Sequence, residues 1–126
     1  MSDFNVPAVK DGEFSAAANY QGGAITAQLE GNADLRSKPS LEAFLGSLHA
    51  EADRLAVPEV QIDFRQLAFM NSSCFKNFVS WIGIVQEAAP EKQYRICFLS
   101  NPAMHWQKRS LHALSCFASD LVSVQS

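Results

Sequence analysis

The densest chemistry in the chain lies at Asn71, Ser72, Ser73 and Cys74, directly after the short apolar stretch of Leu67, Phe69 and Met70. An oxygen of Asn71, Ser72 or Ser73 can accept from the N–H groups left open in the first turn of a following helix. The Cys74 thiol has two readings there. A helix N-terminus lowers a thiol pKa and makes a redox sensor, or the residue is a small buried filler. Asp63, on the strand ahead, can orient the loop but alone makes no acid–base pair. Lys76, Asn77, Ser80 and Trp81 fall off the apolar stripe that follows. Trp81 therefore reads either as an interface anchor among polar neighbours or as the edge of the core, and Trp106 has the same ambiguity. Arg65 and Lys76 are cations flanking the serines, able to meet an anionic group.

Other chemistries lack their residues. His49, His105 and His112 have no acidic or cysteine partner at zinc-site spacing, and His105 and His112 stand two helical turns apart; all three read as surface residues. Gly22-Gly23 lacks the Lys-Ser/Thr that completes a phosphate loop. No serine stands in a nucleophile elbow. Cys74, Cys97 and Cys116 form no CxxC and an odd set, so reduced thiols are expected, with Cys97 and Cys116 in or near the core. These residues suggest no enzyme, no metal and no cofactor.

The elements that must position this segment follow from periodicity. Residues 1–12 read as a Pro-containing lead and 13–126 as one domain. Glu13 to Tyr20 suits a weak, Ala-rich strand, Gln21-Gly22-Gly23 a turn, and Ala24 to Leu29 alternates with a period of two. Leu41, Phe44, Leu45, Leu48, Ala52 and Leu55 then make a helical stripe, capped by Ser37 or Ser40 and closed by Pro58. Glu59 to Phe64 is a short strand, followed by a separate apolar stretch at Leu67, Phe69 and Met70. Phe75, Phe78, Val79, Ile82 and Val85 restore helical spacing. Tyr94 to Leu99 is a strand, Asn101-Pro102 reads as a helix start, and Leu121 to Val124 is a last strand. A hairpin followed by alternating strands and helices predicts an α/β domain, with a mixed, largely parallel sheet and helices packed on it.

The 126 residues are 48% hydrophobic and 18% charged, with a net charge of −3. This suits one folded domain rather than a disordered chain. No apolar run nears the roughly 20 residues of a membrane span. The first seven residues lack a basic start followed by an apolar block, so no secretory signal is expected and the cytoplasm is the expected location. Residues 1–63 hold ten acids and four bases, and residues 64–126 three acids and six bases. That mild asymmetry is not a nucleic-acid-binding footprint.

The segment Leu67, Phe69, Met70, Ser72, Ser73 resembles the STAS domain of bacterial anti-sigma factor antagonists, which places Leu-x-Phe-Met-Asp-Ser-Ser-Gly between a strand and a helix. Ser100-Asn101-Pro102-Ala103-Met104, leading to Lys108-Arg109-Ser110-Leu111, resembles the family's Ser-Pro segment and short basic helix. The order of elements agrees from about Phe14 to Val124. Asn71 stands where the family usually has Asp, and Cys74 where it has Gly. The resemblance implies a STAS-like fold and a non-enzymatic partner-switching module. It implies phosphorylation at Ser72, with Ser73 as the neighbouring candidate. Partner binding would then use Arg65, Asn71, Ser72, Ser73, Cys74, Lys76, Asn77, Ser80 and Trp81. The implied partners are an anti-sigma-like serine kinase and a metal-dependent phosphatase, with no nucleic acid and no membrane; a homodimer is compatible. The departures at Asn71 and Cys74 keep open an unphosphorylated scaffold on the same fold. A small-ligand sensor with a cavity under the Ala-rich hairpin is also open.

Overall fold

The computed structural model describes residues 4–125. Six strands form one sheet: β1 (Val9–Asp11), β2 (Phe14–Gln21), β3 (Ala24–Ala33), β4 (Glu59–Met70), β5 (Arg95–Leu99) and β6 (Val122–Gln125). Their spatial order is their chain order. β1, β2 and β3 pair antiparallel, and β3 through β6 pair parallel. The parallel pairs need crossovers, supplied by α1 (Lys38–Leu55), α2 (Ser72–Glu87) and α3 (His105–Phe117). This is the mixed α/β sheet with packed helices that the sequence predicts.

Register explains why one face is apolar. Ile25, Val60, Ile96 and Val122 form one cross-strand row, and Ala27, Ile62, Phe98 and Val124 the next row on the same face. All but Val124 are buried in one core with Leu41, Phe44 and Leu48 of α1, Phe78 and Ile82 of α2, and Leu111 and Leu114 of α3. The alternate row, Thr26, Gln61, Cys97 and Ser123, lies on the opposite face. Strand alternation therefore separates a helix-covered face from a mostly polar one. Phe64 sits at the centre, edge-on to Phe78 at 5.3 Å and Phe98 at 5.5 Å, which ties β4 to α2 and β5.

Several details differ from expectation. The sheet begins inside the segment read as a lead, because Val9–Asp11 pairs with β2. Among the described residues the hairpin packs on the core rather than over a cavity: Phe14 and Ala16 are buried, and Phe4 stacks on Tyr20. A shallow depression of about 280 Å³ lies at its Gly12–Gly31 end. β4 is one 12-residue strand rather than a short strand and a separate stretch. Its second half outruns β5 and pairs with β3 through two register shifts, which breaks the simple alternation. Asn101-Pro102 makes a turn rather than a helix start. Asn101 Oδ1 accepts from Ala103 N at 2.9 Å, and α3 begins at His105. Ser37 precedes α1 but makes no side-chain cap bond.

The N-terminal segment is tied to α1 by Glu51. Its carboxylate accepts from Arg54 Nε at 2.9 Å, Arg54 Nη2 at 2.7 Å and Asn5 N at 3.0 Å. The Arg54 hydrogen bonds, then the Asn5 N–H, hold the carboxyl at about 2 against an ordinary 4.5. A lowered folded-state pKa gives stability that is full above the unfolded value and lost as pH falls through the folded one. The expected result is that Glu51→Gln flattens the loss of stability between pH 4.5 and about 2. Urea melts across that window check it, and a wild-type slope in the variant would contradict it.

Candidate functional site

The end of β4 and the start of α2 form a braced corner. Asn71 N donates to Ala33 O at 2.7 Å, which fastens the corner to the end of β3. Asn71 is extended (φ −68°, ψ 153°), and its Oδ1 accepts from Ser73 N at 2.7 Å. The N-cap is therefore Asn71, not either serine. This leaves the Ser72 hydroxyl on the first helical residue, exposed to solvent; Ser73 is half-buried. From Ser72 the exposed face of α2 runs through Lys76, Ser80 and Ile84 at four-residue spacing.

The same helix turns Cys74, Asn77 and Trp81, three of the expected partner contacts, inward, which gives Trp81 its core-edge reading. Cys74 is wholly buried, and its Sγ donates to Asp34 O at 3.3 Å. Asn77 Nδ2 donates to Lys38 O at 3.2 Å and pins α2 to the start of α1. Trp81 is 2% exposed, and its Nε1 donates to the Tyr94 hydroxyl at 2.9 Å. That hydroxyl lies 2.8 Å from His49 Nδ1, so His49 is a half-buried structural partner rather than a surface residue. Burial pushes the Tyr94 phenol well above its usual value. Asn77 and Trp81 form the floor of a shallow α1–α2 groove of about 370 Å³.

Arg65 is exposed, yet its guanidinium forks onto Asp63, with Nε–Oδ1 at 3.0 Å and Nη2–Oδ2 at 2.9 Å. That hydrogen bonding keeps the Asp63 carboxyl below the usual range. Arg65 is thus committed to its own strand, whereas Lys76 is exposed on the Ser72 ridge with no ion-pair partner among the described residues. Two exposed apolar residues lie near this corner and were not among the expected partner contacts. Phe69 (48% exposed) lies at the end of β4, and Leu35 (63% exposed) lies in the turn beside Asp34. Exposed large apolar residues around a polar centre suit a docking surface. In the sequence they looked like ordinary members of an apolar run and a loop.

Burial, above all, pushes the Cys74 thiol up, which favours the filler reading over a redox sensor. Cys97 is buried as expected, but Cys116 is exposed on α3. In the native protein Cys116 is expected to react with an aromatic disulfide reagent first. Cys74 and Cys97 should follow only on unfolding. Prompt labelling of Cys74, located by peptide mass spectrometry, would contradict this. Among the described residues no cluster of His, Cys, Asp and Glu could hold a metal, and no helix is long and apolar enough to cross a membrane.

No family model matches the chain, and no curated protein matches it significantly in sequence. In structure it is similar to a crystal structure of an anti-sigma factor antagonist from Mycobacterium paratuberculosis. The two share 14% identity over 93% of this chain and 90% of that one, with a TM-score of 0.67. The STAS-like fold expected from the sequence is the fold observed.

Proposed function

We propose that this domain is a regulatory protein-binding module of the anti-sigma factor antagonist type, switched by phosphorylation of Ser72. The observation that carries the reading is an exposed hydroxyl on the first residue of α2, freed from capping because Asn71 already binds Ser73 N. The fold shared with an anti-sigma factor antagonist supports the same reading. A phosphate there adds about −1.5 to −2 charge at neutral pH. The positive end of the helix tolerates that charge, and Lys76 lies one turn along the same ridge. The domain stays folded while a partner lying over Ser72, Lys76, Ser80 and Phe69 meets a new charge to desolvate.

On this reading the partner is an anti-sigma-like serine kinase, and a metal-dependent phosphatase resets the site. Cytoplasmic location and a non-enzymatic role belong to the same proposal. The test is mass spectrometry of protein purified from its native cell, with partner capture on Ser72→Ala and Ser72→Asp. A phosphate on Ser72, with Ser72→Asp weakening capture by about tenfold or more, is the expected result. Unmodified Ser72 with capture unaffected by either change would leave a constitutive scaffold instead.

A further inference from the structure

A second concave site lies at the far edge of the sheet, on residues the proposed switch does not use. It is a groove of about 620 Å³ between α3 and β6, within the usual size range of small-molecule sites. His105, Lys108 and His112 line one wall, at a spacing that puts them on a single face of α3. Val122 and Val124 of β6 line the other, and Pro102 closes one end. The chain carries net −3, yet among the described residues no carboxylate lines this groove. β6 pairs with β5 alone, and Val124 is 38% exposed where its row leaves the core. The site therefore joins a basic wall to an apolar one, beside the positive end of a 13-residue helix.

We propose that the α3–β6 groove binds a small amphiphilic anion. Its charged head, a carboxylate or phosphate monoester, meets Lys108 with His105 or His112. Its short apolar body lies against Val122, Val124 and Pro102. The two walls set this chemistry: an inorganic anion would leave the valines uncovered, and a neutral apolar molecule would leave the Lys108 ammonium without a counter-charge. Asn101, which also lines the groove, donates its N–H to Gln107 Oε1 at 2.8 Å, so occupancy is felt at a buried side chain. The inference stands on the groove alone and does not depend on Ser72.

The experiment is an amide NMR titration of the full chain at constant ionic strength with octanoate, octyl phosphate, octanol and inorganic phosphate. Saturating shifts centred on residues 100–112 and 122–124 are expected from octanoate or octyl phosphate, and the stronger of the two identifies the head group. Octanol and inorganic phosphate should each bind about tenfold more weakly or not at all. The double variant Lys108→Gln, His112→Gln changes two exposed side chains, and its unfolding midpoint checks that it folds. It should weaken binding by about tenfold or more. Equal binding of octanol, shifts scattered over all the cationic surface, indifference to the double variant, or no saturable shift would each overturn the proposal.

Discussion

Gln107→Leu is expected to destabilise the domain by about 3 kcal/mol, since a buried polar group left unpaired costs roughly 1–3 kcal/mol. Gln107 has no exposed surface. Its Nε2 donates to Phe64 O at 2.7 Å and to Leu67 O at 2.9 Å, and its Oε1 accepts from Asn101 N. These groups lie where β4 has outrun β5, whose last pair with β4 is Asp63 with Leu99. Water does not reach the side chain, so the carboxamide stands in for the missing strand. Leucine keeps most of the volume and none of the bonds, which separates polar loss from cavity formation. Urea unfolding of the variant measures the effect. A change below about 1 kcal/mol would mean that the two carbonyls and the Asn101 N–H find other partners.

The same region marks the boundary of what the sequence made legible. Where β4 pairs on both sides, Val60 and Ile62 alternate with Gln61 and the strand is plain. Past Asp63, the exposed Arg65, Gln66 and Ala68 interrupt the pattern, because one neighbour is replaced by the side chains of Gln107 and Asn101. No local period reports a glutamine 40 residues away. The corner at Ser72 was legible as a strand, a polar cap and a helix stripe. The division of labour within it was not, because any of three oxygens could cap and only the turn geometry selects Asn71. Asn77 and Trp81 looked available because polar atoms are usually exposed. Their partners, Lys38 O and the Tyr94 hydroxyl, come from elements that meet α2 only after folding. β1 was missed because three residues at a sheet edge carry no measurable period.

Gly31→Ala is expected to cost more than about 3 kcal/mol, combining roughly 1–2 kcal/mol for an L-residue at positive φ with a backbone collision. Gly31 has φ +89°, and a Cβ built there would lie 1.7 Å from Glu13 O. That oxygen cannot rotate away like a side chain, and it accepts from Asn32 N at 3.1 Å. The alanine must therefore push β2 from β3 where Phe14 pairs with Gly31. Phe14 is wholly buried, so the shift also opens the core. The damage should reach the candidate site, because the residues that follow, at the end of β3 and just past it, hold it. Ala33 O accepts the Asn71 N–H, and Asp34 O accepts the Cys74 thiol. Two measurements follow. Urea unfolding should show the loss of stability, and hydrogen exchange should show the Asn71 amide losing more protection than amides of β5. If the loss were global and uniform, the end of β3 would not be what fastens the Ser72 corner. A selective loss would show that the cap is held by the hairpin's far end, 40 residues away from Asn71 in sequence at Gly31.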